Sequence, residues 1–417
     1  MATAEWKPAK LDQLGFVGRG KSRHRPRNAS FLYGGRYPFF QTGDIKAANF
    51  HLTEYSQTYS EEGLAQSKLW KPGTLCITIA ANIAESAILG IEGCFPDSVV
   101  GFVADPDKAD VRFIKYYMEI LKLQMQSVSR GTTQDNLSVD KLLSFDFLVP
   151  PLPVQRRSAG ILSTYDDLME NSQRRIRLLE AMARALYREW FVHFRFPGHE
   201  KHPRVASPLG DIPQGWEATT LGAHLAALES GKRPKGGIRE EAEGVPSIGA
   251  ENINGIGRHE FASEKLVPRE FFEQMRKGVV RDRDVAIYKD GAYIGKSSYF
   301  RDGFPHSECC VNEHVFLLRA NGVRLRQNAL YIWLQEPDTV QTIRSKNANA
   351  AQPGINQQTV GGLELILPDE KTAAHFDRLV EPLLAEIINL SKRIQNLRRT
   401  RDLLLPRLLS GQVELKT

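Results

Sequence analysis

A duplicated pattern more than two hundred residues long limits the possible folds of this chain more than any single motif does. From residue 37 the chain contains YPFFQTGDI, and 208 residues later it contains VPSIGAENI, so that Pro38 corresponds to Pro246. A second block, QDNLSVDKLLSFDFLVP, ends at Pro150 and is matched 218 residues later by QPGINQQTVGGLELILP. The register continues into the next segment, where Ile176 corresponds to Ile394. Three blocks in the same order indicate two tandem copies of one unit.

Each copy ends in a segment whose apolar residues recur at alternating spacings of three and four. Over four heptads this spacing predicts a coiled-coil helix rather than a surface helix. Ser172 and Ala183 weaken the packing face of the first helix. At 1.5 Å per residue, about 33 residues form a rod of about 50 Å. The packing positions are Ile161, Ile176, Leu179 and Leu186 in the first helix, and Leu383, Ile387, Leu390, Ile394, Leu397 and Leu404 in the second.

Prolines mark the ends of these helices, because proline is tolerated before a helix and not inside it. Three prolines precede the first helix, Pro368 precedes the second, and four more lie between residues 197 and 213. The sequence therefore predicts a first domain at 1–152, a helix at 153–194, a linker at 195–215, a second domain at 216–370 and a helix at 371–410.

Short apolar stretches within each domain predict strands, and longer amphipathic stretches predict helices. The mixture indicates the α+β class. Since the second helix begins at the second domain, it covers its apolar face by running back antiparallel to the first, which predicts a pseudo-two-fold relation between the domains. The predicted strands are Thr74–Ile79, Val99–Val103, Phe145–Val149, Val285–Tyr288, Val315–Leu318 and Leu363–Leu367, and the predicted helices are Phe113–Gln126 and Arg326–Gln335.

Composition narrows the class of protein only a little. Hydrophobic residues make up 41% and charged residues 25%, as in an ordinary globular protein, and the net charge of +6 favours a polyanionic partner. The four cysteines lack the paired spacing of a zinc site, so we predict no metal. No signal peptide or membrane-length apolar run is evident, which favours the cytoplasm.

Taken together, this arrangement resembles the DNA specificity subunit of type I restriction-modification systems. The stretch EWFVHFRFPGHEKHPRVASPLGDIPQGWE is similar to the join that this family has between its first helix and its second recognition domain. WKPAKLDQLG and WEATTLGAHL resemble the starts of the two target-recognition domains and place Trp6 and Trp216 in equivalent positions. The resemblance covers essentially the whole chain.

The resemblance implies a non-catalytic subunit of a larger complex. Each recognition domain would read one half of a bipartite target on double-stranded DNA, and the helices would act as spacers. Two modification subunits would carry adenine-N6 methylation, and restriction or motor subunits would translocate and cut DNA. S-adenosylmethionine, ATP and magnesium are accordingly expected on those partners, with no cofactor on this chain.

Two glycine-containing loops rich in basic residues are the first candidates for DNA contact. Arginine can bond guanine edges bidentately, asparagine and glutamine can do the same with adenine, and lysine mostly meets phosphate. A solvated loop without a ligand is the alternative, made less attractive by the recurrence of the loop in both halves. The candidates are Arg19, Lys21, Arg23, Arg25, Arg27 and Asn28 in the first half, and Lys232, Arg233 and Lys235 in the second.

Three further polar sets recur with the repeat. The first, which includes Gln41, Asp44 and Asn252, could read bases or simply turn the chain, since such residues are ordinary turn formers. The second precedes the last strand of each domain, and the third lies in a glycine-rich hairpin. Their members are Arg130, Thr132, Thr133, Gln134 and Gln352 in the second set, and Lys289, Tyr293 and Lys296 in the third.

The sequence does not match the catalytic motifs with which we compared it. The fragment His199-Glu200-Lys201-His202 resembles part of a zinc-protease helix, but that motif needs its second histidine where Pro203 stands. No catalytic residue is therefore predicted. The alternatives are a two-domain coiled-coil scaffold without sequence-specific DNA binding, and a methylase-specificity fusion, for which two domains and two rods leave no room.

Overall fold

The computed structural model describes residues 6–129, 136–235, 243–346 and 354–413. Its contacts divide the chain into two compact units. Unit 1 comprises residues 1–170 and 396–417, and unit 2 comprises residues 171–395. Each unit therefore contains a globular α+β part together with one portion of each long helix.

Unit 1 is built on a mixed five-stranded sheet. Its strands are β1 (Lys7–Ala9), β2 (Gly15–Arg19), β3 (Tyr33–Phe39), β4 (His51–Leu52), β5 (Gln57–Tyr59), β6 (Leu75–Thr78), β7 (Ser86–Leu89), β8 (Val99–Ala104) and β9 (Phe147–Val149). Its shorter helices are α1 (Leu11–Leu14), α2 (Thr42–Ala47), α3 (Glu61–Ala65), α4 (Val111–Ser129) and α5 (Val139–Leu143). The main sheet has the order β2-β8-β6-β7-β4, with β3-β5 and β1-β9 as separate pairs.

The core of unit 1 lies between this sheet and α4. Phe113, Leu121 and Met125 are spaced by eight and four residues, which keeps them on one helix face. That face packs in one buried cluster with Ile77 and Val100 of the central strands. Because β6 is buried on both faces, its first three residues, Leu75 to Ile77, are all apolar rather than alternating with polar ones.

The long helix α6 (Leu152–Tyr187) starts at the prolines and ends in a π-turn at Arg188–Val192. The prolines that follow leave room only for a short hairpin of β10 (Arg204–Ser207) and β11 (Gly210–Pro213). Trp216 closes the linker by stacking on Phe196, with ring centroids 5.0 Å apart.

Unit 2 has a four-stranded and a three-stranded sheet. Its strands are β12 (Glu217–Thr220), β13 (Leu225–Ser230), β14 (Val245–Ile248), β15 (Lys265–Val267), β16 (Val285–Tyr288), β17 (Ser297–Tyr299), β18 (Cys310–Val311), β19 (Val315–Ala320) and β20 (Glu364–Leu367). Its helices are α7 (Arg269–Glu273), α8 (Gln327–Gln335), α9 (Pro337–Ser345), α10 (Gln357–Gly361) and the long α11 (Glu370–Leu409). The sheets have the orders β13-β19-β16-β17 and β15-β14-β18, and β12 pairs with β20.

The duplication seen in the sequence is also present in the strand orders of the two main sheets. β2-β8-β6-β7 in unit 1 corresponds to β13-β19-β16-β17 in unit 2, and in each unit the first strand after the opening tryptophan pairs with the last strand before a long helix. Every strand and shorter helix predicted from the sequence is present, with ends shifted by up to three residues. The first long helix, predicted at 153–194, ends at Tyr187, where the π-turn begins. The predicted α+β class is confirmed.

The two long helices are antiparallel where they pair inside each unit. In unit 2, Arg175 bonds Glu386, while Tyr187, further along α6, contacts Phe376, which is earlier on α11. In unit 1, Asp166 of α6 bonds Arg401 of α11. The antiparallel helix pair of the predicted fold is therefore confirmed, and the pseudo-two-fold relation stays a prediction.

Packing along the helices differs in detail from the predicted faces. Ile176, Ile387, Leu390 and Ile394 are buried, as are the weak positions Ser172 and Ala183. Leu186 and Leu383 are only half-buried, because their neighbours Tyr187 and Leu384 occupy the central positions. Ile161, Leu179, Leu397 and Leu404 are half-buried as well.

Candidate nucleic-acid interface

The first basic loop leaves the end of β2 under a close steric constraint. A Cβ at Gly20 would lie 2.2 Å from the carbonyl oxygen of Pro96, so no side chain fits there. The backbone of Gly20 bonds Val99 at 2.9 Å and that of Lys21 bonds Phe95 at 3.1 Å. The loop is thereby held against the segment that leads into β8.

Three predicted arginines of this loop are used by the protein itself. Both Arg19 and Arg27 bond Asp97, Arg27 through contacts of 2.9 and 3.0 Å to the two carboxylate oxygens. Arg25 donates to the carbonyl oxygen of Ser22 at 2.7 Å. These side chains shape the loop, and a DNA phosphate would have to compete with their present acceptors.

The other candidate side chains of this loop are exposed to solvent. Lys21, Arg23 and Asn28 are exposed. Lys68 lies close by, with its Nζ 3.6 Å from the centroid of the Trp70 ring. Burial and the neighbouring charge of Lys21 lower the pKa of Lys68. Two cations close enough to oppose each other's charge favour an anionic ligand at this surface.

The second basic loop begins in the same way. A Cβ at Gly231 would lie 1.7 Å from the carbonyl oxygen of Val311, so this glycine too is required. Arg233 pairs with Glu313 and contacts His314 Nε2 at 3.3 Å. Lys232 and Lys235 are exposed.

The acidic partners of the two loops are positions that the sequence reasoning missed. Asp97 bonds arginines in unit 1 and Glu313 bonds Arg233 in unit 2. They occupy matching places in CFPDSVV and CVNEHVF, 216 residues apart. Comparing these two strings, which precede β8 and β19, would have found them.

A polar strip joins the hairpin tips to the segments before the last strands. In unit 1, Ala80 pairs with Asn136, and the backbone N–H of Leu137 donates to Ile79 O at 2.8 Å. In unit 2, Asp290 pairs with Gly354, and Ile355 N–H donates to Lys289 O at 2.9 Å. In each unit the hairpin tip is therefore bonded through the backbone to the segment that follows the second polar set. Arg130, Thr132, Thr133, Gln134 and Gln352 lie outside the described residues.

His314 links this strip to the second basic loop. Its Nδ1 lies 2.6 Å from Asp290 Oδ2, while its other ring nitrogen faces Arg233. The basic loop, the hairpin tip and the segment at Gly354 thus form one continuous surface in unit 2. Unit 1 has the corresponding connection through Ser98, which accepts a backbone bond from Ile79 at 2.9 Å beside Asp97.

The hairpin residues themselves carry a cation on an aromatic ring. Tyr293 is half-exposed, and Lys296 Nζ lies 4.4 Å from the centroid of its ring. Lys289 lies 5.0 Å from the ring of Phe316. Beside them, Lys296, Asn254, Gln335 and Arg344 line a cavity of about 250 Å³. The tip offers charge, an aromatic face and amides in one place.

The first polar set, which includes Gln41, Asp44 and Asn252, has a structural role in both units. Asp44 accepts the backbone N–H of Gln41 at 2.7 Å and closes the first turn of α2. Gln41 donates to Gln57 at 2.7 Å. Asn252 is buried and donates to the Glu260 carbonyl oxygen at 2.9 Å. Of the two interpretations left open for this set, the structure favours chain turning, and base contact by these residues stays a prediction.

Comparison with known proteins agrees with this geometry. Residues 3–181 match the family model described as the type I restriction modification DNA specificity domain. A specificity subunit of the type I restriction enzyme MjaIX from Methanocaldococcus jannaschii is 21% identical over 99% of this chain and 94% of its own length. Over almost its whole length the chain is thus similar to specificity subunits of type I restriction enzymes.

Two further members of the specificity family match along the full length. The HindI specificity subunit from Haemophilus influenzae is 22% identical over 98% of this chain and all of its own length. The crystal structure of an S subunit from M. genitalium superposes with a TM-score of 0.61 at 16% identity, over 100% of this chain and 98% of that one. The fold of the specificity family therefore extends over both units.

Features that could suggest other chemistry have structural explanations. The fragment at His199 forms a single turn in the linker rather than a metal-binding helix. All four cysteines are buried, and burial raises the pKa of Cys94 and of Cys310 to about 11, which keeps both as thiols. Among the described residues, the helices include none with the length and apolarity needed to cross a membrane.

Proposed function

We propose that this chain is the DNA sequence-specificity subunit of a type I restriction-modification complex, and that it binds a bipartite target through the two repeated surfaces. One observation carries this proposal. In both units a basic loop, fixed by an arginine–acid pair, joins a hairpin tip and a polar segment. A duplicated surface of this kind suits a target in two parts, whereas a scaffold has no need to repeat it.

The repeated arginine–acid pairs support a reading role over simple phosphate attraction. An arginine held by Asp97 or Glu313 has a fixed position, and a fixed guanidinium can discriminate one base edge from another. The exposed Lys21, Arg23 and Lys232 would supply phosphate contacts, which set the register and not the sequence.

The partners follow from the same proposal. Two modification subunits would bind this chain and methylate adenine with S-adenosylmethionine, and restriction or motor subunits would use ATP and magnesium. This chain would contribute recognition and spacing, with no reaction of its own. At 1.5 Å per residue, the 36 residues of α6 span about 54 Å, which is about 16 base pairs of B-DNA.

Domain exchange tests the proposal. The assembled complex would carry residues 1–152 from a relative with a different target, and methylated sites would be mapped across a genome. We expect one half of the target to change while the other half and the spacing remain. A simultaneous change of both halves would contradict separate reading.

The scaffold alternative gives a different result in DNA binding. When Arg23 is replaced by alanine, the slope of the logarithm of the complex's DNA affinity against the logarithm of salt concentration should decrease by about 1, because one phosphate contact is lost. Lys201→Ala, an exposed change in the linker, serves as the control. A scaffold without specific binding would show equal affinity for target and scrambled duplexes.

A further inference from the structure

A cluster of two histidines and one glutamate lies in unit 2, outside the proposed DNA-contacting surface. The nearest ligand atoms of His259, Glu264 and His306 all lie within 4.8 Å of one another. The Nε2 atoms of both rings face the same Oε1 atom of Glu264. Three possible ligand atoms from two separate stretches of chain therefore converge on one point.

Local structure brings His259 and Glu264 together. A single 3-10 turn at Phe261–Ser263 separates them, and the Glu260 carboxylate caps it by accepting the Ala262 N–H at 3.2 Å. One residue before the cluster, Arg258 bonds Glu180 of α6 at 2.6 Å. Gly257, at φ +67°, packs so tightly on α11 that a Cβ would lie 2.2 Å from Ser391 Oγ. This side of the cluster is held by both long helices.

His306 is positioned by a second anchored turn. Arg301 is buried and donates to Glu381 of α11 at 2.7 Å. The N–H of Phe304 closes the turn by donating to the Arg301 carbonyl oxygen at 3.0 Å. The turn that presents His306 is thus fixed independently of Glu264.

The three side chains of the cluster differ in their exposure to solvent. The side chain of His259 is 1% exposed, that of Glu264 16% and that of His306 27%. The Phe261 ring makes T-shaped contacts with both imidazoles, with centroids 4.6 Å from His259 and 5.7 Å from His306. The partly open His306 provides a way in.

We propose that His259, Glu264 and His306 bind a divalent transition-metal ion of the zinc type. Two imidazole nitrogens and one carboxylate oxygen are a donor set used by zinc in sites that keep a fourth position for water. Calcium and magnesium prefer oxygen ligands throughout. The ion would tie the loop between β14 and β15 to the segment between β17 and β18, and so stabilise unit 2.

This proposal replaces the sequence-based expectation of no metal. That expectation rested on cysteine spacing, whereas these ligands are a histidine and a glutamate five residues apart and a second histidine far along the chain. Neither spacing matches a local motif. Only the fold brings the three side chains to one point.

Metal binding by the full-length chain, without an affinity tag that contains histidine, tests the site. After treatment with a chelator, Zn²⁺ is titrated in competition with a chromophoric chelator. We expect about one ion per chain, and a loss of affinity of about 100-fold or more in His306→Gln. The matched control is His51→Gln, because His51 faces a single carboxylate, Glu170, at 3.3 Å and should leave Zn²⁺ binding unchanged.

Two further measurements keep the result decisive. Zn²⁺ should raise the thermal midpoint of the wild-type chain and of His51→Gln, and leave that of His306→Gln where it was. Co²⁺ should give visible absorption in the wild type that His306→Gln lacks. His306 is partly exposed, so its variant should fold even if the variant at buried His259 does not. Equal binding by wild type and His306→Gln, or no binding by the wild type, would overturn the proposal.

Discussion

The two units hold the same pair of long helices by different means. In unit 1 the helices meet at a buried charge network, in which Asp166, 1% exposed, accepts bonds from Arg401 and from Tyr116. In unit 2 they meet at an aromatic cluster, where Phe376 lies edge-on to Phe191 with centroids 4.7 Å apart. The duplication therefore preserved the backbone frame and not the interactions, so each unit can change its side chains while the shared frame remains.

Breaking the buried network should have the largest effect. Arg401→Met leaves Asp166 buried without its cation, and we expect a loss of about 3 to 5 kcal/mol in the free energy of unfolding of unit 1. Chemical denaturation measures it. The double variant Asp166→Leu/Arg401→Met should recover much of the loss, because no uncompensated charge remains. A double variant as unstable as the single one would mean that packing, and not charge, holds this end.

Variants in the two basic loops compare how units 1 and 2 contribute to DNA binding. Arg27→Ala in unit 1 and Arg233→Ala in unit 2, which remove the arginines held by Asp97 and Glu313, should each weaken specific binding by about 1 to 3 kcal/mol. Competition with duplexes altered in one half-site measures which half is affected. Each variant should change the response to a single half-site, and a shared response would contradict the division of labour between the units.

Acid should weaken unit 2 through Glu381, whereas Asp166 in unit 1 should respond in the opposite sense. Although burial acts to raise it, hydrogen bonds from Arg301 and Asn328 hold the pKa of Glu381 at about 2. Its stabilising contribution is complete above about pH 4.5 and is lost as the pH falls towards 2. Burial instead raises the pKa of Asp166, so protonation there does not destabilise unit 1.

Chemical denaturation at several pH values between 7 and 3 measures how the free energy of unfolding of each unit changes with acid. Glu381→Gln should lower the stability of unit 2 at pH 7 and flatten its decline in acid. Glu386→Gln, which alters a neighbouring exposed pair with Arg175, is the control. An unchanged decline in Glu381→Gln would assign the acid sensitivity to other carboxyl groups.

The smallest effect is expected at that exposed pair. Arg175 and Glu386 are 2.7 Å apart, with side chains 50% and 37% exposed. Solvent screens such pairs, so Arg175→Met should cost about 1 kcal/mol or less, with added salt removing the difference. A cost equal to that of Arg401→Met would show that the two helix contacts are equivalent after all.

Sequence reasoning was strongest where a pattern is local or repeated. The helices α6 and α11 followed from apolar spacing and flanking prolines, and β16 was located at its observed bounds, Val285–Tyr288. It was weaker for single side chains. Asp44 and Asn252 matched the repeat as well as any basic residue did, yet the structure uses both to close turns. A polar residue at a repeated turn and a polar residue at a binding surface give the same pattern in a single sequence.

What the sequence alone determined was the duplicated unit, the class of fold and the resemblance to the specificity family, because each depends on order and spacing along the chain. Only the tertiary structure paired Arg27 with Asp97 and Arg233 with Glu313, and brought His306 to His259 and Glu264. These contacts join residues from 42 to 80 positions apart, such as His306 and Glu264 at 42 and Arg233 and Glu313 at 80. Their formation depends on how strands and turns pack, which no local spacing records.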